Sequence, residues 1–275
     1  MLGSAMDAED MVQDAYLRWQ QVDQGQVDNP KSYLASIVTR LCIDHLRSAR
    51  VQREQYFGPW LPEPLLTEQA HTAPDTVALD ESLSMAFLVL LENLSPTERA
   101  VFLLREVFGY QYAEIAQIVE KSEANCRQMV RRARQHIQRS RPRFDVSLEE
   151  QQAFTNQFVQ ACMTGDVDRL VDFLAEEITI WSDGGGKAVA AARPIYGVEK
   201  TVRFLTGIAR NPPPNTATRF AVVNQMPSII IYVDRQPIAV MTLEIYQADD
   251  DQPRITAIRT VLNPDKLSRI PPIEP

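Results

Sequence analysis

The sequence predicts a multidomain protein in which two all-α domains precede an α+β domain. Its 275 residues suit two domains of ordinary size or three small ones. Apolar residues recur at helical spacing through the first half of the chain, whereas runs rich in β-branched and aromatic residues dominate after residue 177. Hydrophobic residues make up 45% and charged residues 23%, which excludes a wholly disordered chain or a coiled-coil rod.

The chain has no features of a membrane, secreted or metal-binding protein. It contains no run of about 18 apolar residues, and its start, MLGSAMDAED, lacks the basic and then apolar pattern of a signal peptide. Cys42, Cys126 and Cys162 are too few and too scattered for a disulfide framework or a metal site. We therefore expect a cytoplasmic protein that has no metal, no cofactor and no membrane partner.

Residues 1–55 read as two helices. Over Asp7–Trp19, Met11, Val12, Ala15 and Tyr16 form an apolar stripe opposite an acidic one. Asn29-Pro30 opens a second helix, which ends in a run of arginines.

Residues 56–79 contain four prolines and a glycine without a sustained period, which predicts a linker. Apolar and aromatic residues in this linker would be costly to expose, so we expect part of it to dock. These residues are Phe57, Trp60, Leu61 and Leu65.

Residues 80–143 are predicted to be helical. Ser95-Pro96-Thr97-Glu98 has the pattern of a capping box with proline in the first turn. Two further helices are predicted at Tyr112–Val119 and Asn125–Ile137, around a four-residue connector.

The net charge of −8 argues against a nucleic-acid partner, but the charge is unevenly distributed. Lys121–Arg143 contains eight basic residues against Glu123 alone, and Arg40–Arg53 contains four arginines against Asp44 alone. Such basic islands fit a phosphate backbone. On charge alone, two solvated helix faces explain them equally well.

The spacing of residues 112–137 favours a helix-turn-helix. Cys126, Met129, Val130 and Ala133 form an apolar face of the second helix. The opposite face carries donors and acceptors that match base edges in the major groove, where the second helix of this motif lies. These residues are Asn125, Arg127, Gln128, Arg131 and Arg132. A helical hairpin with a basic exposed face is the alternative.

Residues 147–275 are predicted to form an α+β domain with a curved antiparallel sheet. Ser147 caps a first helix, a short second helix spans Val167–Leu174, and a third spans Val198–Ala209. A hairpin turn is expected at Asp234–Pro237. The predicted strands are Ile178–Trp181, Thr218–Asn224, Ser228–Val233, Ile238–Tyr246 and Arg254–Leu262.

Several segments together resemble the extracytoplasmic-function (ECF) sigma factors of bacterial RNA polymerase. LSPTERAVFLLREVFGYQYAEIAQIVEKSEANCRQMVRRAR is similar to sigma region four, which reads the minus-thirty-five element. DAEDMVQDAYLRW and YLASIVTRLCIDHLRSARVQRE resemble region two, which binds the polymerase clamp and melts the minus-ten element. YFGPWLPEPL and NPDKL resemble the sigma-J-type subgroup, which has a fused SnoaL-like, nuclear-transport-factor-like cone domain. The resemblance covers essentially the whole chain.

The resemblance implies core RNA polymerase and promoter DNA as partners, and it assigns residues to each. Polymerase binding is implied for Asp7, Asp10, Gln13, Asp14 and Trp19. Binding of the downstream promoter element is implied for Tyr33, Arg40, Arg47, Arg50 and Arg53. The exposed face of the predicted helix-turn-helix would read the upstream element. Asp44 fits an intramolecular partner of a neighbouring arginine better than a base-reading residue.

The chain departs from the family pattern in three ways. The family has a further helix ahead of MLGSAMDAED, so we expect region two, residues 1–55, to be incomplete at its amino terminus. Glu120 stands where the family has glycine; if this position requires a positive φ, the strain is about 1 kcal/mol. Arg40 replaces an asparagine, which leaves the preferred downstream element open.

SnoaL-like cones include enzymes, so a catalytic role has to be weighed. His45, His71 and His136 all lie outside the cone, and Asp183, in WSDGGGK, is the one carboxylate expected at a pocket mouth. A structural loop, or a contact to the sigma domains, is the better interpretation, and we expect the cone to be a fused regulatory module. The contacts expected for it are Asp183, Gly184, Gly185, Gly186, Lys187, Asp265 and Lys266.

Three functions remain open, and the first is favoured. The first is a sigma factor without catalytic activity, which binds core RNA polymerase and directs promoter recognition and transcription initiation. The second is a helix-turn-helix regulator with a ligand-sensing cone. The third is a SnoaL-type enzyme that carries a DNA-binding domain. Whether the cone binds a small ligand is also open.

Overall fold

In the computed structural model, the described residues are 1–53, 56–67, 85–140, 148–247 and 252–274. Within these residues there are two compact units, the first made of residues 1–53 and 86–140 and the second of residues 56–67, 148–247 and 252–274. The predicted cap at Ser147 and the linker residues 68–79 lie outside the described residues, as do the side chains of Arg50 and Arg53.

The amino-terminal part of the first unit contains the two predicted helices, α1 (Ala5–Gln20) and α2 (Pro30–Arg53). The Ser4 hydroxyl caps α1 by accepting a hydrogen bond from the Asp7 backbone N–H at 3.2 Å. A 3-10 turn at Gln24–Gln26 lies in the connection between them. The Asn29 side chain accepts a hydrogen bond from the Ser32 N–H at 3.1 Å, at the start of α2.

The rest of the first unit consists of α3 (Met85–Glu92), α4 (Pro96–Glu106), α5 (Tyr112–Val119) and α6 (Glu123–Ser140). The capping box predicted at the start of α4 is confirmed. The Ser95 hydroxyl accepts a hydrogen bond from the Glu98 N–H at 3.3 Å, and the Glu98 carboxylate accepts one from the Ser95 N–H at 3.2 Å.

Helix α2 contributes to two apolar clusters of the first unit. Leu41 and Leu46 pack with Met11 of α1, whereas Ile43 packs against α4, α5 and α6. The other buried members of this second cluster include Val101, Leu104, Ile115, Ile118, Cys126 and Val130. The region-two and region-four helices therefore share an apolar core.

The second unit places three helices against a six-stranded sheet. The helices are α7 (Leu148–Thr164), α8 (Val167–Phe173) and α9 (Val198–Ala209). The strands are β1 (Leu174–Asp183), β2 (Ile195–Tyr196), β3 (Thr216–Val223), β4 (Met226–Val233), β5 (Gln236–Gln247) and β6 (Pro253–Val261). Their order in the sheet is β2-β1-β6-β5-β4-β3. The five predicted strands are confirmed, and the two-residue β2 was not predicted.

The expectation of a fully antiparallel sheet is wrong at one pair, because β1 runs parallel to β6, with Ile180 opposite Ile258. Alternation of apolar residues fixes which face of a strand is buried but is the same for either strand direction. The other pairs are antiparallel. The predicted hairpin turn is confirmed at Asp234–Arg235, which joins β4 to β5 with positive φ angles at both residues.

One face of the sheet packs on the helices, and the other carries charged residues. Phe158 and Phe173 meet edge to face between the helices and the first face, with 6.1 Å between ring centroids. On the second face, Glu244 and Arg259 form a buried ion pair. Burial raises the pKa of Glu244 and lowers the pKa of Arg259, and the attraction between the two charges opposes both shifts.

None of the described helices is both long enough and apolar enough to cross a membrane.

Candidate nucleic-acid interface

Helix α6 follows a turn whose backbone is left-handed at Glu120, with φ 55° and ψ 49°. The strain that the sequence predicted for a residue other than glycine therefore applies here. The Lys121 N–H donates to the Ala116 carbonyl at 3.0 Å and closes the end of α5. Helix α6 then begins at Glu123.

The buried and exposed faces of α6 are those that the spacing predicts. Cys126, Val130 and Ala133 are at most 1% exposed. All five residues assigned to base reading are exposed: Asn125, Arg127, Gln128, Arg131 and Arg132. No ion pair within the described part of the chain involves Arg131 or Arg132, so both guanidinium groups are open to an external anion.

Arg127 differs from these two arginines because its side chain is held in place. It donates to the Glu123 carboxylate at 2.6 Å and lies 4.9 Å from the ring centroid of Tyr112, as does Arg105. Arg134, about two turns further along, donates twice to Glu106, which raises the pKa of the guanidinium. Tyr112, Glu123 and Glu106 were not singled out from the sequence; for Glu123, the i,i+4 spacing to Arg127 was a usable signal.

The residues assigned to the downstream element lie along α2. Tyr33 packs against Trp19 with 5.8 Å between ring centroids. Arg47 lies 3.6 Å from Asp44, which confirms Asp44 as the partner of a neighbouring arginine. Arg40 is half exposed and donates to Glu120, with 2.9 Å between Nη2 and Oε1. Arg50 and Arg53 belong to the same helix.

A groove of about 430 Å³ opens beside Tyr33. The loop between α1 and α2 and the first turns of α2 line it, with Val22, Asp23, Gln26, Val27, Asp28, Asn29, Ser32, Tyr33 and Ser36. Its wall combines one aromatic ring with hydroxyl, amide and carboxylate groups. This suits an unstacked base that offers hydrogen-bond donors. From the sequence, only Tyr33 of this groove was singled out.

The residues assigned to polymerase binding are divided between two sides of α1. Asp10, Gln13 and Asp14 are exposed. Asp7 lies 3.5 Å from the His45 ring of α2, and Trp19 is half-buried against Tyr33. The predicted apolar stripe is only partly buried. Met11 and Ala15 are inside, whereas Val12 and Tyr16 are 62% and 59% exposed beside the acidic residues.

Asp183 is the centre of a buried polar cluster in the second unit. Its carboxylate accepts hydrogen bonds from the Tyr56 hydroxyl at 2.5 Å, the Leu61 N–H at 2.8 Å and the Lys266 ammonium at 2.7 Å. The same ammonium donates to the Leu61 carbonyl at 2.5 Å and lies 4.1 Å from the ring centroid of Trp60. Burial, reinforced by Asp183, raises the pKa of Tyr56.

The expectation that Asp183 lies at a pocket mouth is wrong, because this residue is 0% exposed. With three donors on its oxygens, it is poorly suited to act as a general base. The neighbouring glycines have a packing role. A Cβ atom at Gly185 would lie 2.8 Å from the Tyr56 hydroxyl, and φ there is +58°. Lys187 pairs instead with Asp265 on the surface, at 2.5 Å.

Residues 56–67, called here the anchored segment, bind the rest of the second unit along their length. Towards their carboxyl end, the Asn224 side chain donates to the Glu63 carbonyl at 3.1 Å, and the Thr67 N–H donates to the Val222 carbonyl at 3.0 Å. Leu61 is buried, and Leu66 bridges to Val223 of β3. The prediction that part of the linker docks is confirmed for these residues, although Phe57 remains 65% exposed.

Among the described residues, no group of three or more histidine, cysteine, aspartate or glutamate side chains could hold a metal ion.

Comparisons with known proteins agree on one family. The family models for sigma-70 region 2 and sigma-70 region 4 match residues 1–51 and 84–137. The ECF RNA polymerase sigma factor SigJ of Mycobacterium tuberculosis is 35% identical, with 98% of this chain and 88% of SigJ covered. The probable ECF RNA polymerase sigma factor SigI of the same species is 32% identical, with 97% and 88% covered.

A solved structure extends this similarity to the three-dimensional fold. The crystal structure of M. tuberculosis SigJ matches with a TM-score of 0.72 and 32% identity, over 96% of this chain and 90% of that one. Both helical regions and the helix-and-sheet unit are thus shared with a sigma factor. The chain belongs to the extracytoplasmic-function RNA polymerase sigma factors.

Proposed function

We propose that this sigma factor uses α1 to bind core RNA polymerase, α6 to bind the upstream promoter element and α2 to bind the downstream element. The second unit would regulate these steps through the anchored segment. The proposal depends mainly on one observation, the exposed face of α6, where Asn125, Gln128 and three arginines stand opposite a buried apolar face. Sigma factors direct transcription initiation and are not enzymes.

Two kinds of contact are available on α6. Gln128, near the amino-terminal end, carries an amide that fits adenine, and the held guanidinium of Arg127 fits guanine. Arg131 and Arg132 follow one turn later, have no ion-pair partner among the described residues, and fit phosphate oxygens. Residues that read bases thus precede residues that position the helix.

The groove beside Tyr33 suits a single base that has left the duplex. Asp28 supplies an acceptor for an exocyclic amino group, and the Tyr33 ring supplies a stacking surface. The Asp23 carboxylate already accepts hydrogen bonds from the Gly25 N–H and the Gln26 side chain, at 3.1 and 2.9 Å. Arg40 and Arg47 continue along the same helix and can hold the backbone of that strand. We therefore assign the downstream element to α2 and to the loop that precedes it.

Replacing Tyr33 with alanine should weaken binding of a single-stranded downstream element to the holoenzyme by about 1 kcal/mol, roughly fivefold. The reason is the loss of the stacking ring, and fluorescence anisotropy with a labelled oligonucleotide measures it. Tyr33→Phe keeps the ring and its packing on Trp19, so it should bind within about twofold of the wild type. Equal binding by the alanine variant would remove the groove from the proposal.

The exposed face of α1 has the composition of a protein-binding surface. Val12 and Tyr16 offer apolar area among Asp10 and Asp14, which suits a basic partner with apolar patches. Core RNA polymerase is the partner we assign to this face. Binding to the polymerase is also the property that distinguishes a sigma factor from a stand-alone helix-turn-helix regulator.

The decisive experiment is copurification with core RNA polymerase, followed by run-off transcription. The wild type should bind core and start transcripts at a defined promoter. The double variant Asp10→Lys/Asp14→Lys should bind core several-fold more weakly, because like charges then face a basic surface. Glu199→Lys, a charge reversal on α9, is the matched control and should bind normally. A wild type that never joins core would refute the sigma-factor assignment and favour the stand-alone regulator.

Two features support a regulatory rather than a catalytic second unit. Asp183, the carboxylate considered for catalysis, is occupied by the anchored segment and Lys266. Side chains such as Phe158, Leu170 and Leu205 fill the space between helices and sheet, where an enzyme of this fold would bind a substrate. A segment tethered in the same chain acts at high effective concentration, so individually weak contacts suffice for regulation.

A further inference from the structure

Arg40 and Glu120 are two positions at which the chain departs from the family pattern, and their side chains bind each other. The Arg40 Nη2 atom lies 2.9 Å from the Glu120 Oε1 atom. Arg40 belongs to α2, in region two, and Glu120 to the turn before α6, in region four. The two departures are therefore complementary in charge and meet in space.

The backbone conformation at Glu120 is unfavourable for a residue other than glycine. Its φ of 55° is a conformation that glycine adopts freely and other residues adopt with strain. Glutamate adopts this strained conformation here, and its carboxylate reaches Arg40. A glycine at the same place would leave Arg40 without this partner.

The ion pair lies at a larger contact between α2 and region four. Ile43 of α2 is 6% exposed and packs in the core formed by α4, α5 and α6. The Lys31 ammonium lies 5.9 Å from the ring centroid of Tyr110. The Arg99 guanidinium of α4 donates to the Met1 carbonyl at 2.7 Å. Region two and region four are thus held together by apolar packing and by these polar contacts.

This arrangement cannot place α2 and α6 on separate promoter elements at the same time. Elements centred near minus thirty-five and minus ten are roughly 85 Å apart along a duplex that rises 3.4 Å per base pair. Packed helices lie only about 10 Å apart. The contact between α2 and region four must therefore open before both elements can be bound.

We propose that Glu120 acts as an intramolecular substitute for promoter phosphate and holds Arg40 in this closed form, which autoinhibits promoter binding. The proposal rests on the function assigned to α2 above. The side chains of Arg40 and Glu120 are 52% and 74% exposed, so solvent screens the pair and its effect is modest. The pair biases the closed form by about two- to fivefold and yields to the denser negative charge of DNA.

The experiment compares Glu120→Gln with the wild type in the full chain. Glutamine keeps the length and the backbone strain of glutamate and removes only its charge. Spin labels at Ser48→Cys on α2 and Gln117→Cys on α5, both exposed in the native chain, report the distance between the two regions. Cys42 and Cys126 are buried, and burial raises the pKa of Cys162 to about 12, so the native thiols react poorly.

Core RNA polymerase and a promoter duplex are then titrated together, and the fraction of long inter-label distances is measured. We expect Glu120→Gln to reach half-opening at a two- to fivefold lower concentration than the wild type. In an Arg40→Ala background the same change should have no effect. Glu199→Gln on α9 removes an equal charge elsewhere and should match the wild type.

Two outcomes would overturn the proposal that Glu120 holds Arg40 in the closed form. One is equal midpoints for the wild type and Glu120→Gln; the other is a shift that persists in the Arg40→Ala background. In both cases the opening of the wild type still supports the proposed function. A folded wild type that stays closed with core and promoter present would instead refute that function, and the inference would fall with it.

Discussion

Replacing Asp183 with alanine is expected to lower the free energy of unfolding of the second unit by about 3–5 kcal/mol. The change removes the buried carboxylate that pairs with the Lys266 ammonium, whose side chain is 13% exposed, and it also removes acceptors from the Tyr56 hydroxyl and the Leu61 N–H. Denaturant unfolding followed by tryptophan fluorescence measures the loss, because Trp60 and Trp181 both belong to this unit.

The matched control is Asp265→Ala. The Lys187–Asp265 pair is as short as the contacts of Asp183, at 2.5 Å, but its side chains are 56% and 59% exposed. Removing it should cost less than about 1 kcal/mol. Losses of similar size for the two variants would mean that burial does not govern the contribution of Asp183.

The Asp183 variant also tests the regulatory proposal. Release of the anchored segment should make residues 56–67 more sensitive to limited proteolysis, because their backbone loses its partners on the second unit. If this segment carries regulation, run-off transcription with core polymerase should change while α6 still binds upstream duplex. Unchanged transcription by a protein whose segment is demonstrably released would contradict a regulatory role for the contact.

The local structure of this chain was predictable because its signals are local. The helix at Val198–Ala209 and the capping box at Ser95 occupy the predicted residues, since both depend on neighbours within one or two turns. The exposed face of α6 follows for the same reason. A period of 3.6 residues fixes which side chains are opposite Cys126 and Val130, whatever the rest of the chain does.

Contacts between distant residues were not predictable in this way. Tyr56 reaches Asp183 across 127 positions and Asn263 across 207, and no periodicity relates such residues. The glycines after Asp183 could equally have approached an anion. The close approach of the Asn263 amide and the Tyr56 hydroxyl to Gly185 shows that a side chain would not fit there.

The groove beside Tyr33 and the pairing of Arg40 with Glu120 could not be predicted for the same reason. Most of the groove is built from a loop without periodicity, so the sequence pointed only to its aromatic residue. The two family departures were visible separately, but their complementarity depends on how α2 packs against α5. The meaning of Arg40 and of Glu120 could therefore be inferred only once the structure showed that they contact each other.

The double variant Arg131→Ala/Arg132→Ala should weaken binding of the upstream element by about 2 kcal/mol, roughly thirtyfold at physiological salt. Neither guanidinium has an ion-pair partner among the described residues, so both are free to neutralise phosphates. Each phosphate contact releases counterions and contributes about 0.9 to the slope of log affinity against log salt. The slope should therefore fall by about two in binding titrations at several salt concentrations.

Arg134→Ala on the same helix is the control that isolates the cause. Its guanidinium already donates to both oxygens of Glu106, at 2.9 and 3.1 Å, so its charge is largely neutralised within the protein. Removing it should change the salt slope much less than removing either free arginine. A loss of slope as large for Arg134→Ala as for one free arginine would mean that helix charge alone, and not unpaired guanidinium groups, governs binding. An unchanged slope in the double variant would place both residues away from the phosphate backbone.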